Sequence, residues 1–317
     1  MKTSNLTIVT RLGEEGITEI ADLQLCLAAQ LDSNFNWMIL LRPSAHKLKS
    51  NLYSNLKKTP GLHARTKIVI CKTDNRSALL NHALGLIQNG LMVVFDDDDI
   101  PLSNFVQVIR STSSEAKTAS IIRTSVGQVE TLRVTVNGEK FQTSVSKMQF
   151  LWPRIFNRLD HLSVNRTPCM AVSYPVELIK RKKLKWDEAL HAVEDWDFFM
   201  RATDVIPVVS ITTATSIYRR AAGQYRSKLN STPEMWRSSE SIVREKLNKL
   251  HFNMTGSEIL HLSSETPTWE KTPLRAEIFV QLTHFLQPRL IQTPNLYVRL
   301  KGLYGVLVKL LRIEKYV

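Results

Sequence analysis

Short apolar runs alternate with segments of helical periodicity along the first third of the chain. Leu6–Thr10 (LTIVT), Asn36–Leu41 (NWMILL), Thr66–Lys72 (TKIVICK) and Leu91–Phe95 (LMVVF) are rich in β-branched and aliphatic residues. Runs of this length and character predict buried strands. Between them, Ile17, Ile20, Leu23, Leu27 and Leu31 recur at helical spacing and predict an amphipathic helix. Ser77–Gly90 (SALLNHALGLIQNG) predicts a second helix, stopped by Asn89-Gly90. Strand, helix, strand, strand, helix, strand is the order of a mostly parallel sheet flanked by helices.

The pattern then loosens. Leu102–Ser111 predicts a helix that Ser103 could cap. Thr118–Val126 and Thr131–Val145 predict strands, with a hairpin turn at Asn137-Gly138. A helix is predicted from about Pro175, another over His191–Val205, and a closing strand over Ile206–Tyr218. From Gly223 the chain becomes polar and is later punctuated by proline. This suggests a first domain over 1–222 and a mostly helical C-terminal extension over 223–317. At the end, Leu296, Leu300, Leu303, Leu307, Leu310 and Leu311 share one helical face, and Lys301, Lys309, Arg312 and Lys315 the other. Such a helix fits either packing on the domain or an anionic membrane surface.

Composition narrows the partners. The 317 residues carry a formal net charge of +13, which favours an anionic partner. No alternating basic and aromatic run marks nucleic-acid binding, so phosphates and membrane are expected instead. The three cysteines, Cys26, Cys71 and Cys169, form no CxxC. That points away from a disulfide framework and a zinc site, and towards a reducing compartment. No run is apolar enough for a membrane span, and no signal peptide is expected.

Four adjacent carboxylates, Asp96, Asp97, Asp98 and Asp99, follow the fourth apolar run directly. Ligands of α/β sheets collect beyond the carboxyl ends of the strands, and clustered carboxylates suit a hard divalent cation. If the extended conformation persisted, Asp96 and Asp98 would share one side. Three chemistries use such a strand end. A haloacid-dehalogenase-like phosphatase would take Asp96 as nucleophile. An ATPase would need GxxxxGK(S/T), which is absent. A nucleotide-sugar transferase would use a metal on its diphosphate leaving group. A second acidic group, Glu194, Asp195 and Asp197, lies in WDEALHAVEDWDFFMRA (186–202).

Taken in order, SALLNHAL, VVFDDDDIPLSNFV, WDEALHAVEDWDFFMRA and IYRRAAGQYRS resemble the family 2 glycosyltransferases of the GT-A fold. The resemblance covers roughly residues 5–226. It implies an α/β fold with a GT-A-type, mostly parallel sheet and a Rossmann-like nucleotide half. It also implies transfer, with inversion, of one sugar from a nucleoside-diphosphate sugar to a glycan or lipid-linked glycan. Asp195 would be the general base, supported by Glu194. Asp98, with Asp96 and Asp99, would hold Mn2+ or Mg2+. Asp96 would also touch the donor, and Asp97 would lie in the donor-binding run as its replaceable member. Thr10 and Arg11 would border the nucleotide, and Arg76 and Asn81 the diphosphate or sugar. The expected location is cytoplasmic, peripheral at the inner face of a membrane. One departure is marked: Leu41 and Arg42 stand where the family carries aspartates for the nucleobase. That departure motivates the alternative of an inactive nucleotide- or metal-binding scaffold docked at a membrane.

Overall fold

The computed structural model describes residues 5–14, 16, 20–136, 139–222 and 233–249. The predicted helix at 296–317 lies outside them. The parallel half of the sheet comprises β1 (Leu6–Leu12), β2 (Phe35–Leu41), β3 (Thr66–Ile70) and β4 (Leu91–Val94). Every residue of β1 and β4 is buried, as expected of strands covered on both faces. Helix α1 (Ile20–Ala28) buries Ile20, Leu23 and Leu27. It ends sooner than its periodicity suggests, and Leu31 is exposed. Between β2 and β3 the chain forms α2 (Lys49–Leu56) and α3 (Pro60–His63), which the apolar pattern did not reveal. Helix α4 (Arg76–Leu86) starts on the Asn75 side chain, which accepts from the Ala78 N–H.

The remaining strands are antiparallel to their neighbours where a register is defined. They are β5 (Ile100–Pro101), β6 (Ile121–Val136), β8 (Val172–Pro175) and β9 (Val208–Ala221), and the order across the sheet is β3-β2-β1-β4-β8-β6-β9-β5. The stretch expected as two strands is thus one, β6. It pairs with β7 (Glu139–Ser144) in a register that closes at Val136↔Glu139; the turn expected at Asn137-Gly138 lies outside the described residues. Helix α5 (Phe105–Glu115) has Asn104 as its cap residue, not Ser103, and no side chain caps it. Helices α6 (Val176–Arg181) and α7 (Glu194–Thr203) follow β8, and α8 (Pro233–Lys249) follows β9.

The described residues form two compact units. One holds the residues up to Val129, Met148–Arg219 and α8; the other holds Glu130–Lys147 and Arg220–Ala222. Helix α8 therefore belongs with the first unit. Its Val243 and Leu247 pack with Leu190, Val193, Trp196 and Met200 around α7. No helix among the described residues is long and apolar enough to cross a membrane.

Candidate active site

The site begins where β1 and β4 end. Their parallel register runs to Val9↔Val94, and the Phe95 N–H donates to the Val9 carbonyl at 2.9 Å. Continued two residues, that register sets Arg11 beside Asp96. Arg11 Nη2 donates to both Asp96 oxygens, at 2.8 and 3.1 Å, and Nε to one of them at 3.2 Å. Burial alone would push the Asp96 carboxyl up; Arg11 and Arg76 outweigh it and hold it below the usual range. A carboxylate bound this way is a poor nucleophile, which weakens the phosphatase alternative.

Arg11 also reaches α7. Its Nη1 lies 2.7 Å from Glu194 Oε1, and Arg76 Nε from α4 meets the same oxygen at 2.7 Å. Burial opposes ionisation of Glu194, but the two guanidinium groups prevail and lower its pKa to about 2. The residue before it, Val193, has φ of 54° and ψ of 23°. This left-handed conformation is strained for a β-branched side chain, at a cost of roughly 1–3 kcal/mol. It turns the chain so that Glu194 enters the buried ion cluster as α7 starts.

Asp195 is next. Burial, then the neighbouring Glu194 charge, raise its pKa to about 6. Its Oδ1 accepts from the Trp196 N–H at 2.8 Å and its Oδ2 from Asn165 Nδ2 at 3.1 Å. The sequence reading missed Asn165, because nothing local marks an isolated asparagine in a loop.

The aspartate run is a turn. Strand β4 stops at Val94, and the Asp99 N–H approaches the Asp96 carbonyl at 3.4 Å, so strand alternation does not sort its side chains. Burial and the adjacent Asp98 and Asp96 charges push Asp97 up to about 8. Asp97 lies so close to Gly16 that a Cβ there would fall 1.4 Å from its Oδ2. Asp99, expected to assist a metal, is 1% exposed and accepts from the Arg219 N–H at 2.9 Å. Arg219 Nε donates to the Asp98 carbonyl, and Nη1 pairs with Asp22 at 2.7 Å. Its Nη2 is buried without a partner among the described residues. The Cys169 thiol lies 3.6 Å from Asp96 Oδ2.

Other expected positions are moved. Thr10, expected to border the nucleotide, is fully buried and accepts from Trp37 Nε1 at 3.0 Å. Asn81, expected at the diphosphate, is committed to Trp186 and Glu188: it donates to the Trp186 carbonyl and Glu188 Oε1 and accepts from the Trp186 N–H. Its work is to fasten α4 to the segment before α7. Arg11 is likewise turned inward by its ion pairs. His161 is buried; its ring nitrogens meet the Asn157 carbonyl and Thr167 hydroxyl at 2.9 and 2.7 Å. At the end of β2, Arg42 Nε pairs with Asp74 Oδ1 at 3.1 Å. Asp74 lies just before the Asn75 cap, so a carboxylate reaches that edge from the β3–α4 connection.

The chain is similar in structure to TarS of S. aureus. Against TarS 1–349 in complex with UDP-GlcNAc the TM-score is 0.55 at 16% identity, covering 78% of this chain and 68% of that one. The fold is GT-A-like. A second crystal structure of TarS 1–349 gives 0.53 at 15% identity over 95% of this chain and 91% of that one. A longer TarS structure gives 0.51 at 14% identity, with 82% of this chain and 42% of that one covered. No protein-family model and no curated protein sequence matches the chain.

Proposed function

We propose that this chain transfers one sugar from a nucleoside-diphosphate sugar to a hydroxyl of a glycan or glycolipid, with inversion at the anomeric carbon. The observation that carries the reading is the buried link Asp96–Arg11–Glu194, which joins the aspartate run to the residue before Asp195. The likeness in fold to TarS, crystallised with UDP-GlcNAc, supports a nucleotide-sugar donor.

Asp195 is the proposed base. With a pKa of about 6 it is ionised at neutral pH and still basic enough to accept the hydroxyl proton; a positioned base contributes roughly 10²–10⁴-fold. The hydroxyl oxygen attacks the anomeric carbon, the bond to the diphosphate breaks, and its electron pair leaves with the nucleoside diphosphate. Arg76 spends Nε on Glu194 and offers its remaining N–H groups to the departing charge.

A divalent ion fits the aspartate turn. Asp97 is raised to about 8 by burial and its acidic neighbours, and hard oxygen donors suit Mn2+ or Mg2+. Among the described residues no three His, Cys, Asp or Glu side chains are arranged to hold a metal. Asp98 would therefore share the ion with the donor's phosphates. When bound, the ion would neutralise the leaving diphosphate. At the nucleotide end, the Arg42–Asp74 pair combines a donor and an acceptor for a nucleobase edge.

Incubation with Mn2+ and a panel of nucleotide sugars tests the reading. Sustained release of nucleoside diphosphate by the wild type, lost in Asp195→Asn, is the expected result. No turnover of any donor, or wild-type turnover by Asp195→Asn, overturns it.

A further inference from the structure

Ten large hydrophobic side chains are exposed among the described residues, and five of them fall in one stretch: Met148, Phe150, Leu151, Ile155 and Val164. Scattered exposed hydrophobes need no explanation, but a cluster marks a contact surface. The two arms of this stretch are close in space. Both converge on buried Arg123, whose guanidinium donates to the carbonyls of Pro153, Arg154 and Arg166 at 2.7, 3.2 and 3.3 Å. Nε of the same residue donates to the Thr167 hydroxyl at 2.8 Å.

Cations stand among the apolar residues. The Arg154 guanidinium lies 4.7 Å from the centre of the Phe150 ring, and Arg166 flanks the other arm. A dry protein interface would have to desolvate that guanidinium. The headgroup region of an anionic bilayer takes both components at once, the apolar side chains entering it and the arginines meeting phosphates. A chain of net charge +13 is drawn to such a surface. The patch also adjoins the site, since Val164 precedes the Asn165 that holds Asp195.

We propose that the Met148–Arg166 face docks on an anionic bilayer and so offers a lipid-anchored acceptor to Asp195. The second half of this statement rests on the glycosyl-transfer reading; the first does not. The surface is distinct in sequence from the predicted helix at 296–317.

The test uses the full chain and vesicles of phosphatidylcholine with and without phosphatidylglycerol. Ile155→Cys is labelled with a polarity-sensitive fluorophore, and the unsubstituted chain, labelled alike, corrects for Cys26, Cys71 and Cys169. A blue shift on the phosphatidylglycerol vesicles alone is expected. Combined Phe150→Ser, Leu151→Ser and Ile155→Ser should weaken vesicle binding by about tenfold or more while leaving turnover of a soluble nucleotide sugar unchanged. Three results overturn the docking: no vesicle binding by the wild type, binding without a blue shift at residue 155, or unchanged binding by the triple variant. Absence of donor turnover in the wild type sinks the glycosyl-transfer reading instead, and leaves the vesicle result to be judged alone.

Discussion

Arg11 Nη1 stands 2.7 Å from Glu194 Oε1, with both side chains almost wholly buried, and so joins the end of β1 to the first residue of α7. The same guanidinium grips Asp96. One cation therefore sets the spacing between the aspartate turn and Asp195.

Arg11→Met should leave half-buried Asp96 without its main partner and buried Glu194 with Arg76 alone. A loss of about 3–5 kcal/mol is expected, read by urea denaturation at neutral pH. Arg11→Lys should recover little, because an ammonium cannot span both carboxylates as a fork. The Glu194 contribution has a defined pH window. Its folded pKa of about 2 lies below the unfolded value of 4.5. The stabilisation is present above pH 4.5 and is lost as pH falls towards 2. Glu194→Gln should flatten stability over that window.

Asp195 has the opposite sign. Its folded pKa of about 6 exceeds the ordinary 3.8, so the native state holds the proton more tightly. Its contribution to stability is complete below about pH 4 and is lost as pH rises through 6. Asp195→Asn should remove that decline while abolishing transfer. The pH profile of kcat/KM should show an acid limb near 6, because the base must be ionised.

Asn165 favours the ionised form of Asp195 by donating to Oδ2. Asn165→Ala should move the acid limb upwards, by about one pH unit or less, with a modest fall in kcat. Glu194, Arg76 and Arg11 also act on Asp195, so their variants serve as comparisons. An unmoved limb in Asn165→Ala would show that this hydrogen bond does not tune the base.

Within the turn, Asp97 and Asp98 should separate. Without a bound cation, burial and the Asp98 and Asp96 charges push Asp97 up to about 8, and asparagine mimics the protonated form. Asp97→Asn should keep both activity and stability, the latter within about 0.5 kcal/mol. Asp98→Asn should reduce turnover by at least about 100-fold and weaken its dependence on Mn2+ concentration.

Asp74→Ala should raise the donor KM by about tenfold with kcat little changed, the signature of lost uniform binding. Its ion pair with Arg42 is half-exposed, so stability should stay within about 1 kcal/mol of wild type. A changed kcat with an unchanged KM would remove the pair from the nucleotide end.

Local pattern alone determined much of this protein. Four apolar runs marked the parallel strands. For β1 and β4 the reason is burial on both faces, which requires continuous hydrophobicity, whereas β3, expected to be buried, lies at the sheet edge and is half-buried to exposed. The two acidic motifs were legible because clustered carboxylates beside apolar runs are locally conspicuous. Pattern carried less information where polar groups are satisfied by distant partners. Thr10 and Asn81 read as ligand contacts, yet Trp37 and Trp186 claim them. Only the tertiary structure turned Arg11 inward, ended β4 before the aspartates, brought Asn165 to Asp195 and set Asp74 against Arg42. Each depends on the register of strands or the path of a connection. Neither is written in a local periodicity, because hydrogen-bond and ion-pair partners are chosen by proximity after the core has packed.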